Sequence, residues 1–309
     1  MTDDTPTASV ALGRERQSSI YRSGVLGRRP AVPTDFAELE RRAKRASSAK
    51  GWAYVAGGAG EGRTMRNNRA AFDRWAIVPR MAHGVTSRDL SVDLLGTRLS
   101  SPILLAPVGA GALLDPDCDL QVARAAAAMD VPYIFTNQGS TPMEECAAAM
   151  GESRRWVQLY WSTDEALVDS LIQRAEAIDA GALVVTLDTT TLGWRPQDLN
   201  LGSLPFTRGH GIAQYTSDPR FNKIIHNRAD VAADRPKTRP SLGAVRTLVS
   251  MSKQHPGPFG KNLRSAESRV AVEAFLDIYS NPGLSWHHLV TLRHRTSLPI
   301  VLKRDPSSR

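Results

Sequence analysis

Short apolar runs alternate with helical patterns through the middle of this chain, and that rhythm constrains the fold more than anything else. Pro102-Ile-Leu-Leu-Ala-Pro107, Val131-Pro-Tyr-Ile-Phe-Thr136, Trp156-Val-Gln-Leu-Tyr160 and Ala182 to Thr186 lack the polar alternation of half-exposed strands. Runs of that kind are expected where both faces of a parallel sheet are covered. Helical patterns follow at Asp119 to Met129, Pro142 to Met150 and Asp164 to Ala180. Strand and helix in turn predict βαβ units on a parallel sheet. A helix over Ser285 to Arg293 and a fifth strand, Leu298-Pro-Ile-Val-Leu-Lys303, resume the pattern near the end.

The flanks read differently. Residues 1–34 are polar, with Pro30 and Pro33, and are expected to form an arm rather than core. A helix is predicted over Phe36 to Ala49, capped by Thr34 or Asp35. Trp52 to Trp75 holds a Gly-rich turn and a second helical pattern. The body is taken as 35–303, and within it 196–284 reads as one long loop. Pro, Gly, Asn and Arg dominate its first part, with a short helical candidate near Ser241 to Ser252. Residues 304–309 have no strand or helix character.

A chain of 309 residues is long enough for one α/β barrel or two smaller domains. The net charge of +8 comes from groups of basic residues near the N-terminus and over 220–239. They lack interleaved aromatics and any nucleic-acid motif, so a surface that attracts small anions is expected, with no nucleic-acid partner. Cys118 and Cys146 have no metal-binding or CxxC spacing and read as free thiols of a reducing compartment. No stretch approaches the ~20 apolar residues of a membrane span, and the N-terminus has no apolar signal core. A cytoplasmic protein without a membrane partner is expected.

The run Val184-Val-Thr-Leu-Asp-Thr-Thr-Thr-Leu-Gly-Trp-Arg195 concentrates the chemistry. Val184 to Leu187 suit a strand buried on both faces, Asp188 stands where it ends, and Gly193 allows a sharp loop to Arg195. An acid and an arginine thus reach the sheet rim where α/β enzymes place their sites. Asp188 suits either orientation of a catalytic histidine or a helix cap. Arg195 suits either a carboxylate clamp or a solvated surface.

These residues resemble the FMN-dependent 2-hydroxy acid oxidase/dehydrogenase family, the lactate 2-monooxygenase branch above all. The resemblance covers about residues 18–303. It rests on Tyr54-Val-Ala-Gly-Gly-Ala-Gly-Glu61 with Asn68 and Ala71-Phe72, Ala106-Pro107-Val108-Gly109, Gln158-Leu-Tyr160, Thr186-Leu-Asp188-Thr189 and Leu298 to Lys303. Gly193-Trp-Arg-Pro-Gln-Asp-Leu199, Pro205-Phe206 and Asp218-Pro219 are most like the monooxygenase. The resemblance implies a (β/α)8 TIM barrel with FMN at its C-terminal mouth. It places Pro107, Val108 and Gly109 along the isoalloxazine ring, and Thr136, Gln158 and Thr186 at its pyrimidine end. Lys303 falls beside flavin N1, where a cation stabilises reduced flavin. Tyr54 and Arg195 fall at the substrate carboxylate, Tyr160 near its hydroxyl, and Asp188 behind the catalytic histidine. The implied partners are a small L-2-hydroxy acid, lactate foremost, with molecular oxygen as electron acceptor and a homo-oligomeric assembly.

The family's Ser-Asn-His-Gly-Gly-Arg type motif is not found around His83, His210, His226, His255, His287, His288 or His294. The strand ends that grip the FMN phosphate in the family are not found either. The expectation is an incomplete barrel of about five of the eight strands, with open edges, little bound FMN and no turnover of its own. The alternative is a non-catalytic fragment or one half of a split enzyme.

Overall fold

A computed structural model describes residues 12–84, 89–232 and 241–304. Parts of the expected arm, of the basic stretch over 220–239 and of the expected 304–309 tail lie outside the described residues. A small antiparallel hairpin, β1 (Val92–Leu94) and β2 (Thr97–Leu99), precedes the main sheet. That sheet is parallel and follows chain order: β3 (Tyr133–Phe135), β4 (Arg155–Leu159), β5 (Leu183–Thr186) and β6 (Ile300–Lys303).

The apolar runs form strands because helices cover one side and a second apolar layer covers the other. Tyr133, Phe135, Val157, Leu159, Leu183 and Val185 all face the main core. Against them pack Ala123 and Ala126 of helix Cys118–Ala128, Met143, Cys146 and Met150 of helix Met143–Met150, and Leu167, Val168, Leu171, Ile172 and Ala175 of helix Glu165–Ala177. The spacing of three and four residues puts each set on one helix face. Asp164 caps the last of these helices, accepting a hydrogen bond from the Leu167 amide at 2.8 Å. Alternate residues face inward: Trp156, Ala182 and Val184 form a second cluster with Leu94, Leu104, Ile134 and Val301.

Four expectations are corrected. The first run, 102–107, is not a regular strand; it meets β3 through one parallel bridge, Leu105 to Tyr133. Pro102 and Pro107 have no N–H to extend the ladder. The long loop expected over 196–284 is largely helical, with helices Pro219–Ala232, Leu242–Gln254, Phe259–Arg264 and Glu267–Ile278 among its elements. The last of these buries Val270, Ala271, Ala274, Phe275 and Ile278 in the main core. Within the expected arm, Leu12–Val25 is a helix. The helix expected over Phe36 to Ala49 ends at Ala46, and a new one, Ala49–Ala56, starts behind Ser48, whose side chain accepts from the Gly51 amide. Asp35 caps the first, as one of the two expected caps.

Candidate active site

The inward face of the sheet changes character toward the strand ends. Above the apolar cluster lies a buried polar row contributed by successive strands. The Thr136 hydroxyl donates to Gln158 Oε1 at 3.2 Å, and Gln158 Nε2 donates to Thr186 Oγ1 at 2.9 Å. The amide of Asn137 also donates to Gln158 Oε1, at 3.2 Å. Lys303, half-buried, is register-paired with Thr186. Period two explains the row: residues two beyond the apolar Ile134, Trp156, Val184 and Val301 must face the same way.

Past that row the strands give way to loops around a cavity of about 250 Å³. Tyr54, Tyr160, Asp188 and Arg195 all line it, with Gln138, Thr189, Leu204 and Tyr279 completing much of the wall. Tyr54 arrives on helix Ala49–Ala56. That helix lies so close to the 3-10 turn Gly111–Leu113 that a Cβ on Gly51 would come within 2.7 Å of the Leu113 carbonyl oxygen. Gly109 is similarly confined: a Cβ there would sit 3.2 Å from Gln138 Oε1 and 3.6 Å from the Tyr54 hydroxyl.

Arg195 stands at the cap of the short helix Pro196–Asn200. Its guanidinium lies over the Tyr54 ring, 4.9 Å from the centroid, and donates to the Tyr54 carbonyl oxygen. Its Nε donates to Asp198 Oδ2 at 2.5 Å. Burial pushes the Tyr54 phenol pKa well up, with Tyr160 adding to the rise and the Arg195 cation opposing it. Burial also raises that of Tyr160, against the hydrogen-bonding effect of Thr189 and with Asp188 adding to it. Both phenols therefore stay protonated and available as donors at neutral pH.

The structure thus gathers Tyr54, Tyr160, Asp188 and Arg195 round one cavity, and sets Thr136, Gln158 and Thr186 as a layer beneath. Gly109 borders the cavity through Gln138 and Tyr54, whereas Pro107 and the exposed Val108 do not line it. Among the described residues no histidine lines it. His210 is half-buried near Arg208, and desolvation followed by that charge lowers its pKa. Among the described residues no cluster of three or more metal-ligating side chains converges. The described helices include none long and apolar enough to cross a membrane. Cys146 is buried and Cys118 half-buried, both free, and burial pushes the Cys146 thiol up to about 12.

Three residues of the site region escaped the sequence reading. Asp198 is buried beside Arg195, and its signal was its place three residues after the arginine on a helical turn. Gln138 lines the cavity wall. Asn137 binds the Tyr215 hydroxyl at 2.6 Å while its Oδ1 accepts from the Tyr160 amide at 3.3 Å, fixing the end of β4. Tyr215 lies 78 positions further along the chain, so no local pattern announced it.

A model of the FMN-dependent dehydrogenase family matches residues 43–304. The chain belongs to that family. Its members fold as TIM barrels and use FMN, and the sheet described above is an arc of such a barrel. The chain is 42% identical over 206 residues to the FMN-dependent alpha-hydroxy acid dehydrogenase qulF of Penicillium citrinum, covering 66% of this chain and 51% of that one. It is 32% identical to an L-lactate oxidase of Lysinibacillus sphaericus, over 88% of this chain and 60% of the relative. The crystal structure of mandelate oxidase with (S)-4-hydroxymandelic acid is similar at a TM-score of 0.64 and 27% identity, covering 88% of this chain and 64% of that one. The chain therefore spans about half to two thirds of the length of these relatives.

Proposed function

We propose that this chain carries the flavin-facing and substrate-facing wall of an enzyme that oxidises a small L-2-hydroxy acid, lactate foremost, with FMN. The carrying observation is the convergence of Tyr54, Tyr160, Asp188 and Arg195 on one cavity of about 250 Å³, above a buried row of amide and hydroxyl groups. That volume is below the usual range for drug-sized ligands, as a small acid requires. An arginine stacked on a tyrosine offers a planar fork and a neutral donor, the pairing that suits a carboxylate.

The residues fit FMN. Thr136, Gln158 and Thr186 alternate donors and acceptors along one line, as the carbonyls and N–H of a flavin's pyrimidine edge require. Lys303 adds a cation at the end of the row, and the crowded backbone at Gly109 supplies a flat wall that a side chain would obstruct. Pro107 and Val108, which precede Gly109 outside the cavity lining, are proposed to run along the flavin ring. FMN, when bound, would accept the two electrons removed from the substrate.

In this reading Tyr54 and Arg195 hold the carboxylate, the Tyr160 hydroxyl donates to the substrate oxygen, and Asp188 is placed to orient and stabilise the protonated form of the family's catalytic histidine, which no described residue supplies. Among the described residues no histidine lines the cavity, so these residues alone are expected to bind substrate without turning it over at a useful rate. Molecular oxygen is the proposed electron acceptor, and a homo-oligomer the proposed assembly. The test is titration of FMN with the purified chain, read by quenching of flavin fluorescence. Saturable quenching that weakens in Gln158→Leu supports the reading, and no quenching in the wild type overturns it.

A further inference from the structure

Asp198 is a buried carboxylate whose position makes little sense as a means of attracting an anion. It lies 5% exposed, directly against the arginine that faces the cavity. A negative charge at 2.5 Å from Arg195 Nε cancels much of the arginine's pull on an incoming carboxylate. Its other oxygen, Oδ1, is buried with no hydrogen-bonding partner among the described residues, an arrangement that costs stability. Burial at that cost, in a place that works against raw attraction, calls for another role.

The geometry around Arg195 supplies one. Arg195, with Leu192, Gly193 and Leu204, lines both the 250 Å³ cavity and a second one of about 220 Å³, so the guanidinium stands in the wall between two open spaces. A long side chain there has more than one place to go, and holding it in one rotamer carries an entropic cost. Asp198 sits on the first turn of helix Pro196–Asn200, where its own amide donates to the Arg195 carbonyl at 3.1 Å. Arg195 and Asp198 are therefore joined through both main chain and side chain. With Nε fixed by Asp198, the guanidinium plane is set, one Nη reaches the Tyr54 carbonyl, and the plane lies on the Tyr54 ring.

We propose that Asp198 is a positioning residue that locks Arg195 against Tyr54, so that both present one rigid carboxylate-binding surface to the cavity. The inference rests on reading Arg195 as the carboxylate holder, and its test separates the two. The first readout is the Arg195 side-chain Nε–H resonance, identified by its loss in Arg195→Lys. In the wild type it should lie downfield and exchange slowly with water. In Asp198→Asn, which keeps shape and an acceptor but loses the charge, it should move upfield and exchange at least 10-fold faster. In Asp198→Ala it should be lost to exchange.

The second readout is L-lactate binding by calorimetry to the flavin-free chain, where no turnover occurs. A lock predicts about 5–20-fold weaker binding in Asp198→Asn, whereas a mere counter-charge predicts tighter binding. An unmoved Nε–H resonance in Asp198→Asn, or tighter lactate binding, overturns the proposal. Equal lactate binding by wild type and Arg195→Lys, with the resonance still responding to Asp198, removes Arg195 from the substrate site and leaves the lock standing. Asp198→Asn should melt close to the wild type, so an altered resonance cannot be ascribed to unfolding.

Discussion

Gln158 and Leu159 are neighbours on β4, both almost fully buried, yet they face opposite sides of the sheet and meet different chemistry. Leu159 points outward into a large apolar core to which several helices contribute. Gln158 points inward and spans two hydroxyls from the flanking strands. The outer face is redundant: many aliphatic contacts share the load, and shape matters more than identity. On the inner face each polar group depends on one or two specific neighbours, and beyond it the cavity opens. Stability is concentrated on one side of four strands and recognition on the other.

The comparison is most sharply tested from the outer side. Phe275 is fully buried and stacks with Tyr279 at 4.8 Å while meeting Tyr215 edge-on at the same distance. Phe275→Ala should cost ~3–5 kcal/mol in urea unfolding, a large part of the about 5–15 kcal/mol typical of a domain. The folded fraction should still bind FMN with near wild-type affinity. A loss of flavin binding at full folding would break the division between faces.

Gln158→Leu attacks the inner face and should cost ~1–3 kcal/mol, because Thr136, Thr186 and the Asn137 amide each lose a buried partner. Here FMN affinity should fall with stability, the opposite of the Phe275 result. Tyr54→Phe has a smaller effect again. It removes only the phenol oxygen, so melting should shift little, while lactate binding by calorimetry weakens about 5–15-fold, equivalent to ~1–1.5 kcal/mol. Unchanged lactate affinity would take Tyr54 out of the site.

How much of this was legible in the chain follows the same line between faces. The strands β3 to β6 and helices Cys118–Ala128, Met143–Met150 and Glu165–Ala177 were readable because parallel strands buried on both sides leave uninterrupted apolar runs, with helical patterns between them. Asp188 and Arg195 were readable because they follow such a run on a short loop. Helix Glu267–Ile278 was not, although it is part of the core: it follows a segment so rich in Pro, Gly and Asn that its apolar face was masked. The run 102–107 misled in the other direction, since apolar composition does not supply the N–H groups that prolines lack. Asp198 was passed over because a buried acid next to an arginine looks, in sequence, like any solvated i,i+3 pair. The Asn137–Tyr215 bond joins segments from distant parts of the chain, and only the fold brings them together.

The smallest effect concerns acid, and it sets one buried carboxylate against a half-buried one. Asp119 is 4% exposed and accepts from the amides of Ser140 and Thr141 at 2.7 and 3.0 Å, tying the loop after β3 to helix Cys118–Ala128. Desolvation raises its pKa despite those two bonds. The folded protein thus holds this proton more tightly than the unfolded chain does. Its contribution to stability is present below the ordinary carboxylate range and fades as pH rises through the raised value. Asp164 behaves oppositely: its hydrogen bonds with Arg220 lower its pKa, so its contribution is present above the ordinary range and is lost as pH falls through the lowered value. Acidification therefore sets the two against each other, and Asp119 softens the decline. Asp119→Asn removes the softening. Between about pH 7 and about pH 4 the variant's melting temperature should fall further than the wild type's, by a few degrees at most. Parallel melting curves across that window would show that Asp119 titrates in the folded protein as it does in the unfolded chain, and that its burial beneath the loop has no electrostatic consequence.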